Sequence, residues 1–384
     1  MILKLKDKFK TIFNRQDGVT FYSPGRVNLI GEHIDYNGGF VFPCALSDGT
    51  YGIAGLRDDK EIHVYSDPFT TKPYVFSLNH IVKDEDSKWA DYIKGSIKAL
   101  LDHGYQINKG LDIYMEGTMP QSAGLSSSAS LEMLIIFMMN HFFGFNLDSK
   151  SMAKLGKEAE NKFVGVNSGI MDQFAVIAGK KDHAILLNTE TLDYDYVPLD
   201  LKDYALMIVN TNKKRGLADS KYNERFNECQ EALSLLKPIY SINNLVDIKT
   251  QELPRLKETL NPVIYKRVKH VITEQDRTIK SREALKHGDI ETFAKLMIQS
   301  HVSLKDDYEV TGIELDTLQE AMLEAGALGA RMTGAGFGGC VVAIASKKLV
   351  NSIKHQITLA YEKKIGYKPT FYEVSISDGT HLLK

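Results

Sequence analysis

Three stretches of the chain place polar side chains at spacings that chemistry can use. The first is GRVNLIGEHIDYNGG, residues 25–39. It brings Glu32, His33 and Asp35 close together, a few residues after Arg26. Carboxylates and an imidazole supply the paired acceptors and donors that sugar hydroxyls require. The same groups suit a metal, although zinc asks for three or four ligands and no second His/Cys cluster follows. A solvated loop is the third reading, and spacing alone does not choose among them. The second stretch, PQSAGLSSSAS at 120–130, holds Gly124 and the hydroxyls of Ser126, Ser127 and Ser128. If it opens a helix, its free backbone N–H groups and dipole form an anion site; a serine N-cap on a core helix is the plain alternative. The third, GIMDQF at 169–174, sets Asp172 between apolar residues. Such an aspartate is a cap or an ion-pair partner, or a general base if Arg26 stands beside it. Glu160 lies on the preceding helix pattern, where surface charge is common.

A glycine run, GAGFGG at 334–339, fits GxGxxG. A dinucleotide fingerprint must follow a strand and open a helix, with an acid about 20 residues on. Here a strand pattern follows at 341–344 and the region beyond is lysine-rich, so that reading fails. A tight loop between strands remains, either as a hairpin or as a wall against a ligand. No GxxxxGK[ST] and no HRD or DFG set occurs, which excludes P-loop and protein-kinase architectures.

The elements that must position these groups are mixed. Strand patterns fall at 27–30, 40–42, 52–54, 62–65 and 111–116, the last alternating apolar with polar residues. Residues 126–143 read as a helix with an apolar body, and 151–163 as an amphipathic helix. A buried strand at 204–210 is followed by charged amphipathic helices over 220–303. Then come helix 315–325, strand 330–332, the glycine loop, strand 341–344, a helix after Ser346 and strand 370–375, an order that suits a split βαβ layer.

With 384 residues and about 150 per domain, two domains are expected. Composition is ordinary for a globular chain, 43% apolar and 25% charged. A net charge of −2 provides no field for nucleic acid or anionic lipid. The short basic run Lys213-Lys214-Arg215 reads as solvated surface. Cys44, Cys229 and Cys340 are too few and too scattered for a disulfide framework. The amphipathic N-terminus lacks a signal-peptide core, and the apolar run at 133–139 is far below the ~20 residues of a membrane span. A cytoplasmic protein is expected, a monomer rather than an obligate oligomer.

Together these segments resemble galactokinases, within the superfamily that includes homoserine, mevalonate and phosphomevalonate kinases. Residues 25–39 resemble the galactokinase signature, which other branches lack. GLSSSASLE at 124–132 resembles the superfamily's ATP motif, and GAGFGG its third. GVNSGIMDQF at 165–174 is also similar to galactokinases, and the likeness runs from about Tyr22 to the C-terminus. The resemblance implies an α+β fold of two domains, 1–200 binding sugar and ATP and 201–384 closing the cleft. The first would hold a mixed sheet with helices, the second a ferredoxin-like split βαβ layer, with the active site between them. It implies transfer of the γ-phosphoryl of ATP to the C1 hydroxyl of galactose, giving galactose 1-phosphate for galactose catabolism. Asp172 matches the catalytic aspartate and Arg26 the arginine beside it. Glu32, His33, Asp35, Gly169 and Tyr222, with Asp172, match galactose-holding positions. Trp89 matches an aromatic near adenine, and Gly124, Leu125, Ser126, Ser127, Ser128 and Ala129 the ATP motif. Ser128 and Glu160 match ligands of Mg2+. One departure stands out: Gln121-Ser122-Ala123 replaces glycines usual before the serine run. N-acetylgalactosamine or arabinose kinases and non-catalytic galactose sensors share the resemblance; sensors lose the pair that stands here as Ala129-Ser130, which favours an enzyme.

Overall fold

The computed structural model describes residues 1–67, 69–119, 124–213 and 218–384. Gln121-Ser122-Ala123 and most of the basic run at 213–215 therefore lie outside the described residues. The strands are β1 (Val19–Asn28), β2 (Phe40–Val41), β3 (Pro43–Leu56), β4 (Glu61–Asp67), β5 (Tyr74–Ser77), β6 (Leu111–Gly117), β7 (His183–Asn188), β8 (Tyr194–Pro198), β9 (Tyr204–Asn210), β10 (Gly329–Thr333), β11 (Cys340–Ser346), β12 (Thr370–Tyr372) and β13 (His381–Leu382). The helices are α1 (Ile2–Phe13), α2 (Lys88–Asp102), α3 (Ser127–Phe143), α4 (Ser149–Glu158), α5 (Met171–Ala178), α6 (Ala218–Tyr240), α7 (Leu253–Thr259), α8 (Pro262–Lys286), α9 (Ile290–Asp306), α10 (Ile313–Glu324) and α11 (Val350–Ile365).

A mixed six-stranded sheet runs β13-β1-β3-β6-β4-β5, antiparallel except where β4 pairs parallel with β6. Helix α3 packs on β1 and β3 and against α2, α4 and α5. Burial on so many sides explains why its body is apolar all round instead of on one stripe. The second sheet runs β10-β11-β9-β12. Counted from β9, with α6–α10 before β10 and α11 before β12, this is the βαββαβ arrangement of a split βαβ layer, as expected. A third sheet, β2-β7-β8, lies alongside. Helix starts follow their local chemistry: Asp148 and Asn261 accept from Ser151 N and Ile264 N, with Pro262 in the first turn of α8.

Three features shape the site. First, the β1–β3 register shifts between Pro24 and Arg26. A bulge re-aims the side chain beside it, and here that chain is Arg26. Only glycine fits at 25, because a Cβ there would lie 2.5 Å from Met119 Sδ and 2.8 Å from Leu125 O. Second, the helix expected over 151–163 changes winding. Helix α4 ends at Glu158 and a π-helical turn, Ala159–Val164, continues it. Such turns occur mostly as single insertions, often at functional sites. Third, the C-terminal strand β13 returns to pair with β1, a strand too short for the sequence to announce.

Candidate active site

The bulged strand delivers Arg26 to Asp172, the second residue of α5. Arg26 Nε donates to Asp172 Oδ1 and Nη2 to Oδ2, both at 2.6 Å. The third nitrogen, Nη1, donates to Gly124 O at 2.8 Å. Burial works against charge on Arg26, but Asp172 more than offsets it and keeps the guanidinium charged. Ser126 sits in the left-handed region, φ 60°, so its side chain does not cap α3. Its hydroxyl donates to Asp172 Oδ2 instead. A carboxylate has about four lone-pair positions. Arg26 and Ser126 fill three, and the remaining one belongs to Oδ1.

The start of α3 thus has no side-chain cap, and Ser127 and Ser128 line the same cavity as Asp172. Uncapped N–H groups at a helix start are an anion site. The cavity holds about 510 Å3 and reaches from this turn to Glu32, His33, Asp35, Gly169 and Tyr222. Leu125 and Gly124 line it; Ala129 is buried behind it. Trp89 does not line it, and packs instead against Phe69 and Tyr74.

The opposite wall is tied together by hydrogen bonds. Glu32 is buried; its Oε2 accepts from Asn28 Nδ2 at 2.6 Å and its Oε1 from Gly334 N at 2.7 Å. The glycine run thereby serves as a wall, and its loop is tied to the residue 25–39 segment. Arg331, fully buried behind it, reaches Glu32 Oε1 at 3.4 Å. His33 Nε2 lies 3.1 Å from Ala335 O and Nδ1 2.8 Å from the Tyr36 hydroxyl. A carbonyl only accepts, so Nε2 carries the proton and Nδ1 accepts from Tyr36. Burial, then His270, lowers the His33 pKa to about 3, so the ring is neutral. Asp35 is pushed up to about 7, first by burial and then by Asp172 and Glu32. Gly169 makes room for it: a Cβ there would come 1.7 Å from Asp35 Oδ2. The Tyr222 ring lies 5.5 Å from that of His33.

The π-helical turn carries Glu160, which is buried at the cavity edge. Its Oε2 accepts from Ser168 Oγ at 2.5 Å and Gln173 Nε2 at 2.9 Å. Burial raises its pKa, while hydrogen bonds from Ser168, Gln173 and Ser128 act in the other direction. Ser128 and Glu160 thus present a hydroxyl and a carboxylate to one point beside the anion site. Magnesium is commonly held by one or two protein oxygens plus substrate phosphates and water. Asp172 acts on Glu160 as a neighbouring negative charge. These residues fit a divalent cation bound with a polyphosphate.

The sequence pointed to most of these residues but missed two, Gln173 and Glu132, which stand behind Glu160. It named Gly124 and Ser126 for the nucleotide alone, whereas Gly124 O also accepts from Arg26 and the Ser126 hydroxyl donates to Asp172. A readable signal existed for Glu132, a single acid inside the apolar run of α3.

A model described as the galactokinase galactose-binding signature matches residues 7–56. The GHMP kinases N terminal domain matches 91–180, and the GHMP kinases C terminal matches 281–363. Galactokinase of Clostridium acetobutylicum is 49% identical over 99% of this chain and 98% of its own. Galactokinase of Ligilactobacillus salivarius is 50% identical over 99% of both. The crystal structure of Lactococcus lactis galactokinase complexed with galactose superposes with a TM-score of 0.96 at 42% identity, covering 100% of both chains. A mevalonate kinase structure matches at TM-score 0.65 and 22% identity, covering 94% of this chain and 99% of that one, a likeness of fold. The chain belongs to the galactokinase family of the GHMP kinases.

Proposed function

We infer that the chain transfers the γ-phosphoryl group of ATP to the C1 hydroxyl of α-D-galactose. The observation that carries this reading is the Arg26–Asp172 pair, which faces the start of α3 across one cavity whose other wall holds Glu32 and Asp35. Phosphoryl transfer asks a protein mainly for positioning and charge stabilisation. Asp172 Oδ1 accepts the proton of the sugar's C1 hydroxyl through its open lone pair. Arg26 and Ser126 fix that carboxylate, and Arg26 offsets charge on the transferring group. The α3 N–H groups and Ser127 hold phosphate oxygens. Asp35 and Glu32 accept from ring hydroxyls, and Gly169 lets Asp35 approach. Magnesium, when bound with the nucleotide through Ser128 and Glu160, neutralises phosphate charge.

Residues 1–200 form the sugar- and ATP-binding part and 201–384 the part that closes the cleft. Trp89, outside the cavity, belongs near the adenine end, with Ala129 backing the phosphate turn. The protein works as a cytoplasmic monomer without nucleic acid or membrane partners. Among the described residues no helix is long and apolar enough to cross a membrane, and all three cysteines are buried and form no disulfide.

A coupled assay of ADP release tests the reading across galactose, N-acetylgalactosamine, arabinose and glucose. Galactose should give the highest kcat/KM, and glucose, inverted at C4, should be poor because it leaves site groups unpaired. Equal or better turnover of another sugar would reassign the substrate. Galactose binding with no ADP release would make the chain a sensor.

A further inference from the structure

Glu132 lies within the apolar body of α3 and is fully buried. A carboxyl group there lowers stability unless its oxygens find partners. Only one does: Oε2 accepts from Gln173 Nε2 at 3.0 Å, while Oε1 has no hydrogen-bond partner among the described residues. Buried polar atoms are normally satisfied, and an exception calls for a reason. The same Gln173 nitrogen donates to Glu160 Oε2 at 2.9 Å. An amide nitrogen has two N–H groups, one for each carboxyl. Were the amide reversed, its oxygen would face two acceptors. Glu132 and Glu160 together therefore fix which end of Gln173 points between them, and Glu132 holds the amide in place from behind. Gln173 and Ser168 together hold Glu160 Oε2, which orients Oε1 as the remaining oxygen for a cation.

We propose that Glu132 is a positioning residue that acts through Gln173 to hold Glu160 as a ligand of the nucleotide-bound divalent cation. The inference rests on the role given to Glu160 above. Outer partners of metal ligands typically carry 10–100-fold in metal affinity.

The test uses Glu132→Met, Glu132→Gln and Gln173→Met in the full chain. Mn2+ binding is read by electron paramagnetic resonance with a non-hydrolysable ATP analogue, alongside Mg2+ titrations of turnover, galactose calorimetry and melting. Glu132→Met and Gln173→Met should each weaken Mn2+ binding at least about tenfold. Glu132→Gln keeps an acceptor for Gln173 and should stay near the parent. Galactose affinity should hold in all three, and Glu132→Met should melt no lower than the parent because it removes an unsatisfied buried carboxyl. Mn2+ binding unchanged in Glu132→Met or Gln173→Met overturns the proposal. So does a Glu132→Met variant whose loss of galactose affinity matches its loss of metal affinity, since that marks a purely structural role. If Glu132→Met does not fold, Gln173→Met decides alone. Failure of the parent to phosphorylate galactose would sink the functional reading but leave the Mn2+ comparison valid.

Discussion

Asp172 is held by three donors, so its direction is fixed before substrate arrives. Asp172→Asn replaces an acceptor with a donor facing Arg26 and Ser126. General-base assistance is typically worth ~10²–10⁴-fold. We expect kcat to fall by that factor while calorimetry still records galactose binding. The melting temperature should fall too, because Arg26 is 5% exposed and loses its counter-ion. Near-parental turnover would remove Asp172 from the chemistry. Asp35 makes the opposite trade. Its pKa rises from 3.8 to about 7, through burial and then the charges of Asp172 and Glu32. Between those values the folded chain holds a proton that the unfolded chain has released. Stability therefore falls as pH rises through this window. Asp35→Asn should raise the galactose KM steeply, yet melt above the parent at pH 8, an advantage that fades toward pH 4. A variant melting below the parent at pH 8 would contradict this electrostatic account. The sequence named both aspartates by motif, but it gave Ser126 to phosphate. The left-handed backbone at Ser126, which no residue type announces there, turns that hydroxyl to Asp172.

At the scale of elements, the bulge at Gly25 sets the distance between β1 and the turn that opens α3. Gly25→Ala places a Cβ against Leu125 O, a backbone atom that gives way only if the turn moves. Shifts of about 1 Å at a reacting centre can cost 10²-fold in rate. We expect steady-state kinetics of this variant to show a raised ATP KM and at least about tenfold lower kcat, with galactose binding disturbed less. Parental kinetics would mean that the turn is free to move. Period and composition made long elements legible: the buried strand at 204–210 matches β9, and the apolar helix matches α3. The π-helical turn was not legible, because it ends the helix and too few residues follow it to reveal the shift in side-chain phase. Strands β7 and β8 were missed as well; β8, YDYVP, is mostly polar and largely exposed, and offers no clean alternation.

At the scale of the whole molecule, the chain closes on itself. Leu383 N donates to Thr20 O at 2.9 Å, Thr20 Oγ1 to Leu383 O at 3.0 Å, and Ser23 and Thr380 share a hydroxyl contact at 2.9 Å. These bonds hold the edge of β1, the strand that carries Arg26. Each is worth about 1 kcal/mol net. Deleting residues 380–384 should lower the calorimetric melting temperature by at least about 5 °C, given ~2–4 °C per kcal/mol in larger domains. An unchanged melting temperature would show the last strand to be dispensable. No pattern in two residues predicts such pairing, since it depends on where the far end of the fold arrives. Arg26 carries a last consequence. One guanidinium grips both the carboxylate proposed to meet the sugar and the carbonyl of the turn proposed to meet the nucleotide. A shift at either end is transmitted to the other without any intervening element. Thermodynamic reciprocity then requires that whatever factor galactose adds to the affinity for ATP, ATP returns to galactose. Synergy between the two substrates would thus be located in a single side chain.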